Sequence, residues 1–267
     1  MKNRILILGL STIILSSCNE EPKQKQADEA KPEIAENITP EKAREENDEL
    51  TITKVPNVTN GAEAYFSPDG KSLIYNGKEE GDESHMVYTI NIDGSNRKRI
   101  NDKGEDACSY YAPDGKSLIW TSTRANPDMH KGNYSDPKDY PQGAEIFTSD
   151  LDGENVKRLT NNKYYDAEVA YSPDGKKILF GRQIDGKMDL WTMDIDGSNQ
   201  TQITFTEDWQ EGGAFIMPDN KSIIYRAWKK SEEENKSKDM QIFTIGVDGS
   251  NMKQITTEAG THWAPFP

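Results

Sequence analysis

Four prolines, Pro68, Pro113, Pro173 and Pro218, are each preceded at fixed distances by residues that could hold a cation or a cationic side chain. Seven positions before them stand Gly61, Asp106, Asp166 and Glu211; five before stand Glu63, Cys108, Glu168 and Gly213. Carboxylates at one register of a repeated strand converge on a channel mouth when those strands stand side by side around an axis. There they could offer the six or more oxygens that Ca²⁺ takes, or receive a basic peptide. Acids that merely cap strand ends in water are the plainer reading of the same residues. The ligand set differs from repeat to repeat, which argues against a metal ring, so no metal or other cofactor is expected.

A second candidate surface is the insertion Ala125–Gly143, ANPDMHKGNYSDPKDYPQG. Loops held by a rigid scaffold carry binding disproportionately often. His130 and Tyr134, set among prolines and glycines, are its recognition candidates, against the alternative of a plain surface excursion. A further insertion, Lys229–Asp239, is merely charged and reads as a solvated loop. Enzyme signatures are missing: there is no Gly-x-Ser-x-Gly elbow, no His-Glu-x-x-His and no glycine-rich phosphate loop. The histidines, His85, His130 and His262, fall at unlike repeat positions.

The elements that must position these residues are written into a repeat. FSPDGKSLIY, YAPDGKSLIW, YSPDGKKILF and IMPDNKSIIY begin at Phe66, Tyr111, Tyr171 and Ile216, and the prolines are spaced by 45, 60 and 45 residues. A second phrase follows each, as in VYTINIDGSNRKRI (Val87–Ile100) and LWTMDIDGSNQTQI (Leu190–Ile203). Pro presets φ near −65° and Asp-Gly supplies the positive φ of a tight hairpin. Each unit therefore reads as four short antiparallel strands. A sheet with two apolar faces is stable only against its neighbours, so the expected fold is an all-β propeller of four-stranded antiparallel blades with four full repeats. Cys108, inside one repeat, reads as a small buried packing residue.

The paired phrases resemble the WD-repeat-like units of the TolB family over Leu50–Pro267. That resemblance implies a ring of six blades in a bacterial envelope. It does not extend to the α/β domain that precedes the propeller in TolB. Since a preceding unit's outer strand falls about thirteen residues before each proline, Leu50–Val55 is expected to be an outer strand whose inner partners lie beyond Pro267, making the domain of residues 50–267 a truncated ring. Some propellers catalyse, notably oligogalacturonate lyases with metal-binding channel histidines, but this chain has no matching histidine cluster.

Ahead of the repeats, residues 1–17 read as a signal peptide, with Lys2 and Arg4 before an apolar run too short to span a bilayer. Leu15-Ser16-Ser17-Cys18 resembles the bacterial lipobox, which implies cleavage before Cys18 and its lipidation. Residues 18–49 have the composition of a disordered acidic linker. The formal net charge is −14, with no Lys/Arg cluster, which excludes nucleic acid as a partner. The expected molecule is a non-catalytic, lipid-anchored envelope protein, in the outer membrane facing the periplasm or the cell surface. It would bind a protein, peptide or glycan through Glu63, Asp106, Asp166, Glu168, Glu211, His130 and Tyr134. The alternative is a propeller lyase or hydrolase acting on a polysaccharide or peptide.

Overall fold

In the computed structural model the residues described are 52–232 and 239–267. The expected signal, Cys18 and the linker fall outside them, as do residues 233–238 of the charged insertion. Thr53–Pro267 form one folded unit, and it is built from four sheets of four antiparallel strands each, in chain order.

The first blade contains β1 (Gly61–Phe66), β2 (Ser72–Gly77), β3 (Met86–Asn91) and β4 (Lys98–Arg99). The second contains β5 (Asp106–Tyr111), β6 (Ser117–Ser122), β7 (Glu145–Asp150) and β8 (Lys157–Arg158). The third is β9 (Tyr165–Tyr171), β10 (Lys177–Ile184), β11 (Lys187–Asp194) and β12 (Thr201–Gln202). The fourth is β13 (Trp209–Ile216), β14 (Ser222–Lys229), β15 (Gln241–Gly246) and β16 (Lys253–Gln254). A single 3₁₀ turn follows β14 at Lys230–Glu232.

Side chains alternate across a strand, and here both faces are apolar. Ile178 and Phe180 of β10 pack with Ile119 and Ile146 of the second blade. Leu179 of the same strand packs with Ile216, Ile223 and Tyr225 of the fourth. Leu118 and Trp120 of β6 face Ile74 and Val87 of the first blade. No blade could keep both faces dry alone, and this is the reason for the repeat.

Turn chemistry closes the joints. Asp69, Asp114, Asp174 and Asp219 each accept the backbone N–H two residues on, at 2.8–3.2 Å. The next residue, Gly70, Gly115, Gly175 or Asn220, sits at φ 54–70°. At the outer joint not only the glycine but also Asn96, Asn155, Asn199 and Asn251 take φ 52–55°, which accounts for the Asn in every Asp-Gly-Ser/Glu-Asn phrase.

The segment before β1 corrects one expectation. Residues 53–55 form no strand, although Val55 packs on the first blade's Leu73, Tyr75 and Ile90. Pro56 lies against Gly94 as Ile100 lies against Gly153. The outer position is filled, but a strand exists only as a ladder, and among the described residues no strand pairs with this segment.

Each innermost strand carries a bulge, seen as a register shift between residues 62 and 65, 107 and 110, 167 and 170, and 212 and 215. In the fourth blade, Gly212 and Gly213 open a socket there. A Cβ on Gly212 would strike Glu168 Oε2, and one on Gly213 would strike Arg226 Nη1. Because Gly213 also needs φ 53°, Gly212 is the cleaner probe. Gly212→Ala is expected to destabilise the protein by about 1–3 kcal/mol, as overpacking does. In a double-mutant cycle with Glu168→Ala the two losses should be clearly less than additive; additive losses in denaturant unfolding would show that the socket is not there to seat Glu168.

Candidate functional site

The innermost strands β1, β5, β9 and β13 bring two layers of side chains to the hub. The first layer belongs to the bulge. Glu63, Cys108 and Glu168 sit at φ 48–52° and Gly213 at 53°. Glu63 Oε2 accepts the Cys108 N–H at 2.8 Å and the Asn76 amide at 2.6 Å. Glu168 accepts the Gly213 N–H and, at 2.8 Å, Nη2 of Arg226. The Arg226 guanidinium lies 4.1 Å from the ring centre of Trp263, a cation–π geometry. Burial, reinforced by the charges of Glu63 and Glu168, pushes the Cys108 thiol well up. It is a free, buried cysteine, as its place in the repeat suggested.

The second layer is aromatic and lies two residues nearer the Pro-Asp-Gly hairpins. Tyr65 and Tyr110 have ring centres 3.9 Å apart, and Tyr110 meets Phe215 edge-on at 6.0 Å. Phe266 touches both Phe215, at 5.1 Å, and Tyr65, at 6.2 Å. Ala170 fills the equivalent place in the third blade. Together with Phe66, Tyr111, Tyr171 and Ile216 these residues line a bowl of about 620 Å³ that opens on the hairpin side. Burial raises both tyrosine hydroxyls, Tyr65 and Tyr110, above their ordinary range.

Phe266 belongs here because Thr261–Pro267 repeats the register of an innermost strand. Ala264 has φ 50°, matching Glu63, Cys108, Glu168 and Gly213. The His262 N–H bonds to Met240 O at 3.0 Å, as Asp106 bonds to His85 O and Asp166 to Ala144 O.

The carboxylates seven before each proline have gone elsewhere. Asp166 is buried in a bidentate pair with Arg182, at 2.6 and 2.8 Å. Glu211 is buried and accepts the hydroxyls of Thr204 and Thr206. Asp106 is buried, accepting the Val87 N–H at 3.0 Å and the Asn101 amide at 2.7 Å. These three therefore face neighbouring chain segments and lie apart from one another, whereas Glu63 and Glu168 both approach the hub at Cys108. Among the described residues no three His, Cys, Asp or Glu side chains form a group able to hold a metal ion.

The insertion is ordered. Tyr140 stacks on Tyr165 at 4.3 Å, and the Tyr134 hydroxyl donates to Glu105 O at 3.1 Å. Tyr134 is thus turned inward, while His130 is exposed and its Nε2 lies 2.5 Å from Asp139 Oδ1. The residues that sequence reasoning missed are Tyr65, Tyr110, Phe215, Phe266 and Arg226. The first three share an offset of three before the proline, a legible signal. Phe266 has no hairpin phrase after it, and Arg226 meets a partner 58 residues away.

Burial pushes Asp106 up to about 7 and Glu211 up to about 7. An unfolded aspartate ionises near 3.9, so from about pH 4 to 7 the folded state keeps a proton that the unfolded chain has lost. The stability this confers is full below about pH 4 and falls as pH rises through about 7. Asn101 Oδ1, buried without a partner, could accept from an amide at position 106. Asp106→Asn is therefore expected to flatten the fall in Tm between pH 5 and 8 and to match the parent at pH 8. A variant that loses more at pH 8 than at pH 5 would contradict this.

Comparison with known proteins agrees with this geometry. Residues 139–265 match the family described as TolB beta propeller domain. An uncharacterized Agrobacterium fabrum protein, Atu1656, is 27% identical over 204 residues, covering 76% of this chain and 60% of the relative. Oligogalacturonate lyase of Dickeya dadantii is 29% identical over 84 residues, 30% of this chain and 22% of the lyase. The crystal structure of TolB from Acinetobacter baumannii superposes with a TM-score of 0.56 at 27% identity, covering 79% of this chain and 45% of that one. The chain thus spans less than two thirds of the length of each. Its four-stranded repeats, its bulged inner strands and these matches make the chain a TolB-like β-propeller.

Proposed function

We propose that the chain is a non-catalytic binding protein of the bacterial envelope, held to a membrane by lipid on Cys18 and by the linker of residues 18–49. Its propeller grips a protein partner at the hub. The observation that carries this reading is the aromatic bowl. Four rings from four different segments converge on it, and Phe66 stands exposed on its rim. An extended segment that inserts an apolar or aromatic side chain fits such a bowl, because buried aromatic anchors dominate the energetics of interfaces. The carboxylates behind it are already bonded to Cys108, Asn76, Gly213 and Arg226, so they serve as framework.

Phe66 is largely exposed, so Phe66→Asp leaves the fold intact. It is expected to abolish stoichiometric capture of a partner from envelope extract; undiminished capture would move the working surface away from the bowl. The match to oligogalacturonate lyase supports a second reading, turnover of a polysaccharide. Release of unsaturated products from oligogalacturonate by the purified chain would favour it over binding alone.

Anchoring has its own test. Cys18→Ala is expected to shift the protein from the detergent-extracted membrane fraction to the aqueous one and to end labelling by radioactive fatty acid. Unchanged fractionation would refute the lipid anchor.

A further inference from the structure

Two seams of the propeller, between the second and third blades and between the third and fourth, follow one plan but differ in charge. At each, an acid on a blade's third strand is buried near the acid seven before the next blade's proline. In the earlier seam these are Glu145 and Asp166. Asn162 donates to both, at 2.5 and 2.8 Å. Two arginines answer their charge: Arg158 donates to Glu145, and Arg182 to Asp166 at 2.6 and 2.8 Å.

In the later seam the acids are Asp189 and Glu211, again buried, and neither arginine has a counterpart. Strand pairing sets Gln202 opposite Trp191 as it sets Arg158 opposite Phe147. It sets Ala227 opposite Glu211 as it sets Arg182 opposite Asp166. Gln202 repeats the backbone contact of Arg158, donating to Thr204 O at 2.8 Å where Arg158 donates to Thr160 O at 2.9 Å. It also reaches Asp189 Oδ2 at 3.1 Å, but brings no charge. Lys187 lies 3.2 Å from the same oxygen. Glu211 accepts only the hydroxyls of Thr204 and, at 2.5 Å, Thr206 among the described residues. The Thr204 hydroxyl in turn accepts the Leu190 N–H at 2.9 Å, next to Asp189 in β11. Asp189 Oδ1 is buried without a donor among the described residues, and the Asp189 carboxyl meets that of Glu211.

Two adjoining carboxylates resist ionising together, and one ammonium answers only one of them. A proton on the other supplies the missing donor. We propose that Asp189 and Glu211 share one proton, which latches the fourth blade to the third. When it leaves to solvent the carboxylates repel, and the link of residues 203–208, held by Thr204 and Thr206, comes away from the seam. Burial acts in the same direction, raising Asp189 and pushing Glu211 up to about 7. The charges that bear on Glu211 are those of Asp189 and Lys187, and Glu211 in turn raises Tyr225 on β14. An unfolded glutamate ionises near 4.3, so the latch is at full strength below about pH 4 and is lost as pH rises through about 7. The latch does not depend on the partner proposed at the bowl.

Backbone hydrogen exchange of the full-length chain tests this, with the link of residues 159–164 in the earlier seam as internal control. Glu211→Gln gives Asp189 Oδ1 a permanent amide donor. Between pH 5 and 7.5 the parent's 203–208 link should lose protection relative to this variant by about tenfold or more, as linkage to one proton requires. Residues 159–164 should show no such difference. Gln202→Arg restores the cation of the earlier seam at a partly exposed position, and should remove most of the pH dependence even if Glu211→Gln does not fold. An equal loss in the parent and Glu211→Gln, or an undiminished one in Gln202→Arg, overturns the proposal. Protection that follows added Ca²⁺ and chelator rather than pH overturns it in favour of a bound cation.

Discussion

A left-handed residue in each innermost strand is the constraint on which the hub depends. L-residues resist this conformation, at a cost of about 1–2 kcal/mol, yet Glu63, Cys108, Glu168 and Ala264 all adopt it. The bulge turns each of these backbone amides toward the unit before it. Cys108 N–H reaches Glu63, the Glu168 backbone reaches the Cys108 sulfur, and Gly213 N–H reaches Glu168. From the first blade to the fourth, acid and small residue therefore alternate. Carboxylates on successive bulges would stand side by side and repel. Spacing them by Cys108 and Gly213 gives each acid a donor on the next blade instead of a rival.

The same bulge decides what the hairpin face presents. It sets the phase of the strand, so the residue two positions later points to the axis, and in four of five segments that residue is aromatic. The tyrosines stay neutral, with their hydroxyls driven further from ionisation by burial. The bowl is thus an uncharged surface directly in front of a charged layer whose charges are all answered. An incoming apolar group meets rings, and the desolvation penalty for approaching an unpaired carboxylate does not arise.

How much of this was legible in the residues depended on the range of the interaction. The turns and the two-faced strands are local, and Pro-Asp-Gly with its alternating flanks announces them, so the blades and their order could be read directly. Offsets from the proline also located the residues of the bulge. Its conformation could not be read: Glu63 in a strand reads as one more outward polar side chain, and only the left-handed backbone sends it across to the next blade. The role of Asp166 turns on Arg182, a cross-strand neighbour whose register the bulge shifts, and Glu168 is claimed by Arg226 from a different blade. The strand expected over Leu50–Val55 is not formed at residues 52–55, where Val55 only packs on the first blade, because no neighbouring strand among the described residues offers it a ladder.

Charge is distributed unevenly over the hairpin face. In two of the Pro-Asp-Gly-Lys turns the acid is offset by its lysine, with Lys71 3.8 Å from Asp69 and Lys176 3.1 Å from Asp174. The rim of the bowl is therefore close to neutral. Further out on the same face, Asp93, Asp196 and Asp248 are held below their ordinary pKa by the hydroxyls of Ser95, Ser198 and Ser250, and they stay ionised across the physiological range. Such fields reach only about 8 Å at physiological ionic strength, so each face acts on what is already close to it. The hairpin face thus repels anions at its margin while offering rings at its centre.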